Sequence, residues 1–111
     1  MEKVRIGVVG IGHLGQFHLQ KYAKLENCEI VGASDVLEDR AADAAALHGC
    51  QAMTDYRKMI GSVDAVSIAV PTQCHYAVAK AFLEAGVHVL LEKPIAETLA
   101  QADELIALAD K

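Results

Sequence analysis

The sequence has no tryptophan, only two prolines and three cysteines, and aromatic residues make up 5% of its 111 residues. The cysteines, Cys28, Cys50 and Cys74, are odd in number and match neither a Cys-x-x-Cys pair nor a Cys/His metal spacing. This pattern argues against a disulfide framework and a metal site, and predicts reduced, mostly packed thiols in a cytoplasmic protein. A catalytic thiol is considered only at Cys74.

Positive charge and long apolar runs are also scarce. Ten Lys and Arg against 15 Asp and Glu give a net charge of −5, and the cations are scattered along the chain. A scattered set does not form the basic patch of a nucleic-acid surface. No apolar run approaches the ~20 residues of a membrane span, and the chain starts with Glu2 and Lys3 rather than an apolar leader. We therefore expect a cytoplasmic protein that binds neither nucleic acid nor a membrane.

The chain does contain short runs of small aliphatic residues, which are typical of helices packed on a parallel sheet. The first run, 4–9, leads into Gly10-Ile11-Gly12-His13-Leu14-Gly15 and then into helical spacing. In such a Gly-x-Gly-x-x-Gly turn, Gly10 allows a sharp turn, Gly12 the approach of a pyrophosphate, and Gly15 close packing of helix on strand. The helix would present its free N–H groups to the phosphates. The pattern predicts a dinucleotide site.

An acidic residue, Asp35, ends the second apolar run. A carboxylate at this place can accept hydrogen bonds from both hydroxyls of an adenosine ribose and repels the 2′-phosphate of NADP, which favours NAD. The alternative is that Asp35 only caps the next helix, and the two roles are compatible. Arg40, one turn later, keeps NADP open, because an arginine accommodates a phosphate or lies over adenine.

The helix after the glycines is predicted to bury a stripe formed by Leu14, His18, Tyr22 and Leu25. His18 lies on or near this stripe, and we interpret it as a packed or capping residue rather than a catalytic one.

The fourth apolar run, 65–70, ends in Pro71-Thr72-Gln73-Cys74-His75. The carboxyl ends of parallel strands face the ligand crevice, so Pro71, Thr72 and His75 are expected at the edge that holds Gly12. Thr72 is predicted to cap a helix over 75–85, and a cofactor contact is a second, compatible role.

The fifth apolar run, 87–91, ends in Glu92-Lys93-Pro94. Lys93 is a compact cation that suits polarising a substrate oxygen or standing near a nicotinamide, and Glu92 suits orienting it. The alternative is a solvated ion pair. A last helix is predicted to open with a capping box formed by Thr98 and Gln101.

In this order the four motifs resemble the nucleotide-binding half of the glucose–fructose oxidoreductase, inositol dehydrogenase and rhizopine catabolism family over essentially the whole chain. The stretches 66–72 and 87–96 look most similar to members that act on nucleotide sugars, such as UDP-N-acetylglucosamine 3-dehydrogenases. The resemblance implies a Rossmann-type, doubly wound parallel sheet in three α/β/α layers. It also implies binding of NAD(H) and hydride transfer at a hydroxyl-bearing carbon of a sugar, nucleotide sugar or cyclitol.

Carried over to this sequence, the resemblance implies roles for individual residues. The pyrophosphate would lie on Gly10, Gly12, His13, Leu14 and Gly15, the adenosine ribose on Asp35, and the nicotinamide side on Pro71, Thr72 and His75. Lys93, helped by Glu92, would sit between nicotinamide and substrate.

Family members also have a second domain, which holds most sugar contacts, the proton-transferring histidine or aspartate and an oligomer interface. Residues 1–111 are therefore expected to be one dinucleotide-binding domain that stops before the sixth strand, with the substrate domain absent. We expect these residues to bind cofactor without turnover, because half the walls of the reaction site are missing. The full-length parent is expected to be a homo-oligomer. The alternative function is a non-catalytic dinucleotide-binding sensor of the same fold.

Overall fold

A computed structural model of the protein describes residues 3–91, 96 and 98–110. Its strands are β1 (Val4–Val9), β2 (Cys28–Ser34), β3 (Gln51–Met53), β4 (Ala65–Ile68) and β5 (His88–Leu91). They form one parallel sheet in the order β3-β2-β1-β4-β5. The winding direction reverses between β1 and β4, which is where open α/β sheets bind their ligands. The predicted doubly wound sheet is confirmed.

The helices are α1 (His13–Ala23), α2 (Glu38–His48), α3 (Thr72–Glu84) and α4 (Leu99–Ala109), with a short 3-10 helix at Tyr56–Met59. Helices α1 and α2 pack on β1, β2 and β3, whereas α3 packs on β4 and β5 and also contacts α4. The arrangement gives the three layers expected of an α/β/α domain.

Two apolar clusters fill the space between these layers. Val8 belongs to the cluster under α1 and α2, and its neighbour Val9 belongs to the cluster under α3. Successive residues of a strand point to opposite faces, so the two clusters lie on opposite faces of the sheet. Because β1 is covered on both faces, the loop that follows it is held on a rigid base.

Helix α3 begins earlier than the sequence predicted. Its first residue is Thr72, and the N-cap position belongs to Pro71, with φ −56° and ψ 148°. Proline suits a helix start because its fixed φ is compatible with the first turn, whose N–H groups have no partner inside the helix. The prediction that Thr72 caps a helix over 75–85 is therefore wrong, and His75 lies inside the helix.

At the start of α4 the predicted capping box is half formed. Thr98 Oγ1 accepts a hydrogen bond from the Gln101 backbone N–H at 3.1 Å. The reciprocal bond is missing, since Gln101 Oε1 is buried and accepts no hydrogen bond within the described part of the chain. None of the helices described here is long and apolar enough to cross a lipid bilayer.

Candidate dinucleotide-binding site

A cleft of about 670 Å³ opens at the carboxyl edge of the sheet, where β1, β2 and β4 end. Its walls come from the loops that follow these strands, from the segment after β3, and from the first two turns of α3. The residues that line it are Val9, Gly10, Gly12, His13, Leu14, Ser34, Asp35, Val36, Leu37, Arg40, Thr54, Tyr56, Ala69, Val70, Pro71, Cys74 and Val78. The cleft thus brings together most of the residues that the sequence assigned to a cofactor.

Gly10 makes the turn at the end of β1 possible. Its φ is +95°, a left-handed value that side chains disfavour, and an added Cβ would lie 2.7 Å from the Ala69 backbone. The Gly10 N–H donates to the Ser34 carbonyl at 2.7 Å. The loop is therefore pressed against the end of β4 and hydrogen-bonded to the end of β2.

Gly15 and Gly12 have different surroundings. A Cβ at Gly15 would lie 1.7 Å from the Gly10 carbonyl oxygen, so only glycine allows α1 to pack so closely on the loop. A Cβ at Gly12 would meet open cleft, with Arg40 Nη1 as the nearest atom at 3.8 Å. Gly12 thus leaves room for a group to approach the backbone, as a pyrophosphate does in this motif.

The amino end of α1 faces this room. Its N-cap is Gly12, so no side chain caps the helix, and its first turn, described in full, carries no acidic residue. The first N–H groups of a helix have no partner inside it and, with the helix dipole, they favour an anion. His13 and Leu14 of this turn line the cleft. The arrangement can hold a phosphate without any cationic side chain.

Asp35 stands at the end of β2, only 9% exposed. Its Oδ2 accepts a hydrogen bond from the Ile11 N–H at 2.7 Å, and its Oδ1 accepts one from the Leu37 N–H at 2.8 Å. An ionised carboxylate has about four lone-pair sites, so both oxygens keep acceptor capacity toward the cleft. The alternative that Asp35 is the N-cap of α2 is wrong, because the N-cap residue is Leu37.

Arg40 lies in the first turn of α2 and is exposed. Its guanidinium reaches toward the glycine loop, as its approach to Gly12 shows. A planar cation beside this loop is placed to contact a phosphate or to lie over a base. Arg40 thus lines the cleft.

The residues after β4 divide into two groups. Pro71 lines the cleft. His75 does not: it is 3% exposed, and its Nε2 lies 3.0 Å from the Val70 carbonyl oxygen. It lies in the first turn of α3, which begins at Thr72, next to Cys74. The Thr72 side chain and the residues Glu92 and Lys93 lie outside the described part of the structure.

Sequence reasoning missed several apolar and polar wall residues. Val36 lines the cleft, and its apolar side chain is 87% exposed. Tyr56 also lines the cleft, and the centroid of its ring is 5.8 Å from that of Phe82. Cys74 is exposed and lines the cleft, whereas Cys28 and Cys50 are half-buried and burial raises the pKa of the Cys50 thiol. The two apolar residues that follow Asp35, Val36 and Leu37, could have been recognised from the sequence as wall residues.

His18 lies away from this edge, as its interpretation as a packed residue predicted. Its Nδ1 is 2.5 Å from Ser67 Oγ, and both side chains are buried between α1 and β4. The ring also packs edge-on against Tyr22. His18 therefore joins helix to sheet.

The cleft fits a dinucleotide in three respects. It offers an uncapped helix end beside an open glycine, a carboxylate with free acceptor sites at the end of β2, and apolar walls broad enough for a flat base. No group of three or more His, Cys, Asp or Glu that suits a metal ion occurs among residues 3–91, 96 and 98–110. The free N–H groups of α1 and the Asp35 carboxylate are the kinds of group that bind a dinucleotide.

Comparison with known proteins agrees with this geometry. UDP-N-acetylglucosamine 3-dehydrogenase of Acidithiobacillus ferrooxidans is 44% identical over 111 residues, which are 100% of this chain and 35% of that protein. A solved structure of that enzyme matches with a TM-score of 0.91 over 99% of this chain and 36% of the other.

Two further solved structures share the fold and carry different cofactors. GenD2 from gentamicin A biosynthesis, in complex with NAD, is 27% identical and matches 99% of this chain and 32% of its own, with a TM-score of 0.95. A variant 3-ketoreductase from Actinomadura kijaniata, in complex with TDP-benzene and NADP, is 27% identical. It matches 98% of this chain and 36% of its own, with a TM-score of 0.91.

This chain thus spans between 32% and 36% of the length of these relatives. The model of the oxidoreductase family with an NAD-binding Rossmann fold matches residues 4–111. Together with the sheet order and the glycine cleft, this match shows that the chain belongs to the glucose–fructose oxidoreductase, inositol dehydrogenase and rhizopine catabolism family, as its NAD-binding Rossmann domain.

Proposed function

We propose that this chain is the cofactor-binding domain of an NAD-dependent dehydrogenase that oxidises a hydroxyl-bearing carbon of a sugar, nucleotide sugar or cyclitol. The observation that carries the proposal is the cleft at the β1/β4 switch point, where Gly12 leaves the backbone open beside the end of α1 and Asp35 stands opposite. Among the candidate substrates a nucleotide sugar is favoured, because the relative that is 44% identical over the full chain is a UDP-N-acetylglucosamine 3-dehydrogenase.

Each part of the cleft has a role in this proposal. The backbone at Gly12 and the N–H groups of the first turn of α1 hold the pyrophosphate. Asp35 accepts hydrogen bonds from the adenosine ribose, and its charge disfavours the 2′-phosphate of NADP. Arg40 supplies a cation to the phosphates or a flat surface to the adenine. When bound, NAD supplies the hydride acceptor.

The remaining parts of the reaction require residues outside the described structure. Lys93 is proposed to polarise the substrate oxygen, with Glu92 orienting it. Hydride transfer also needs a substrate carbon held against the nicotinamide and a base for the hydroxyl proton. We propose that a second domain supplies both, that the protein containing it forms a homo-oligomer, and that residues 1–111 alone bind NAD without turnover.

Calorimetric titration with NAD and with NADP tests the cofactor part. The wild-type chain should bind NAD more tightly than NADP, and Asp35→Ser should lose that preference. Asp39→Ser is the matched control, because Asp39 is an exposed acid in the first turn of α2 and does not line the cleft. A tighter NADP complex in the wild type, or an unchanged preference in Asp35→Ser, would contradict the role of Asp35.

The substrate part is tested on the protein that includes a second domain. Incubation with NAD and UDP-N-acetylglucosamine should give NADH, whereas myo-inositol should give less. Lys93→Ala should abolish NADH formation while leaving the calorimetric affinity for NAD within a few-fold. If the protein binds NAD but oxidises no sugar or cyclitol, the domain serves a regulatory protein instead.

A further inference from the structure

We propose that Asp35 is also a positioning residue for the glycine loop, which it holds in its phosphate-binding shape before any nucleotide arrives. The hydrogen bonds between its carboxylate and two loops carry this inference. Its consequence for ligand affinity rests on the proposed function, whereas its consequence for the free protein does not.

The first contact joins the carboxylate to the centre of the glycine loop. Asp35 Oδ2 accepts from the N–H of Ile11, the residue between Gly10 and Gly12, at 2.7 Å in a buried environment. Ile11 itself is 1% exposed and packs into the cluster under α1 and α2. A buried N–H that loses its acceptor is costly, so this bond fixes where the loop backbone lies.

The second set of contacts fixes the carboxylate. Its Oδ1 accepts from the Leu37 N–H at 2.8 Å, and the Asp35 N–H donates to the Met53 carbonyl of β3 at 3.1 Å. The side chain therefore bridges the loop after β1 and the loop after β2, from a backbone anchored on a third strand. A loop fixed in this way has already lost the conformational freedom that binding would otherwise remove.

Two effects of removing this carboxylate have opposite signs for an anionic ligand. Loss of a negative charge near the phosphates favours binding, because like charges repel. Loss of the bond to Ile11 disfavours it, because the loop must then be ordered by the ligand. A ligand without ribose hydroxyls cannot bind Asp35 through its ribose. Whether its affinity rises or falls when the carboxylate is removed therefore shows which effect is larger, the charge repulsion or the loss of the bond to Ile11.

The binding experiment compares Asp35→Ala with the wild type, using ADP and 2′,3′-dideoxy-ADP as probes. The dideoxy probe has no ribose hydroxyls, so a purely ribose-binding Asp35 predicts equal or tighter binding by the variant. We expect instead that Asp35→Ala binds dideoxy-ADP roughly tenfold more weakly, as for loss of one hydrogen bond to a charged group. Asp39→Ala is the control for charge alone and should bind it as tightly as the wild type or more tightly.

A second readout needs no nucleotide. Hydrogen exchange of the Ile11 amide in the free protein should be at least tenfold faster in Asp35→Ala than in the wild type or in Asp39→Ala. If Asp35→Ala fails to fold, Asp35→Asn replaces it, because its single side-chain oxygen satisfies only one of the two N–H donors and Ile11 or Leu37 should then exchange faster. Unchanged exchange at both amides would overturn the inference, even if the wild type binds ADP. Faster exchange in a protein that binds no nucleotide would support it while contradicting the proposed function.

Discussion

A methyl group added at Gly15 would lie 1.7 Å from the Gly10 carbonyl oxygen, whereas one at Gly12 would have only Arg40 nearby, at 3.8 Å. Gly15→Ala should therefore destabilise the fold by about 1–3 kcal/mol or more, because helix or loop must move. Gly12→Ala should cost less, no more than about 1 kcal/mol, because alanine is a poorer N-cap than glycine but its methyl group meets no backbone atom. Its methyl group projects into the cleft, however, so the affinity for NAD should fall.

Urea unfolding and calorimetry on both variants check this pair of expectations. Each variant is the control for the other, since the substitution is the same and only the surroundings differ. A Gly12→Ala protein that is less stable than Gly15→Ala, or that binds NAD as tightly as the wild type, would contradict the assignment of the open backbone to the pyrophosphate.

Single residues were predictable where a fixed spacing dictates backbone geometry. Gly10, Gly15 and Asp35 follow from the glycine pattern and from the end of a strand, and the structure gives them the surroundings that the pattern requires. The burial of His75 was not predictable, because neighbouring residues of the same helical turn differ: Cys74 is exposed at the cleft, whereas His75 is buried. Once Pro71 takes the N-cap position, His75 lies in the first turn and is buried.

Among the elements, α1 shows why an apolar stripe alone does not fix a helix face. The spacing predicted an inward Leu14, yet Leu14 is 41% exposed at the cleft. The buried residues of α1 are Gly15, His18 and Leu19. Because Gly15 has no side chain, α1 packs on the glycine loop through the helix face that carries Gly15. Leu14 lies on a different face and is therefore turned outward. The parallel sheet, by contrast, was expected from the short runs of small aliphatic residues.

The start of β1 is tied to the segment before β4 by Arg5 and Asp64. The Asp64 carboxylate accepts from the Arg5 guanidinium at 3.1 Å and from the Arg5 backbone N–H at 2.9 Å. These bonds lower the pKa of Asp64 below its ordinary value of 3.8. A carboxylate whose pKa is lower in the folded state stabilises the fold above its unfolded pKa, and this contribution is lost as pH falls through the folded pKa.

Asp64→Asn should therefore be less stable than the wild type at neutral pH, and the difference should shrink toward zero below the folded pKa of Asp64. Urea unfolding across this pH range measures it. The effect should be modest, since both side chains are nearly half exposed and solvent screens the pair. In an Arg5→Met background the pH dependence should weaken without vanishing, because the backbone N–H still donates. A difference that does not change with pH would show that the pair contributes nothing.

For the whole molecule, the cleft is the place where the two halves of the sheet meet. Its walls come from the loops after β1 and β2 on one side and from the β4–α3 connection on the other. A ligand that contacts both sides binds the folded chain and not the unfolded one, so it must stabilise the whole fold. This linkage makes thermal unfolding a direct report on the site.

At an NAD concentration one hundred times Kd, the free energy of unfolding should rise by about 2.7 kcal/mol, which corresponds to an increase in Tm on the order of 10 °C for a domain of this size. NADP at the same concentration should give a smaller shift, because Asp35 stands where its 2′-phosphate would lie. Gly12→Ala, which keeps the fold while filling the pyrophosphate position, should show a much reduced shift with NAD. Equal shifts for NAD in the wild type and in Gly12→Ala would mean that the nucleotide binds elsewhere, because only a ligand seated on the open glycine backbone is displaced by that one methyl group.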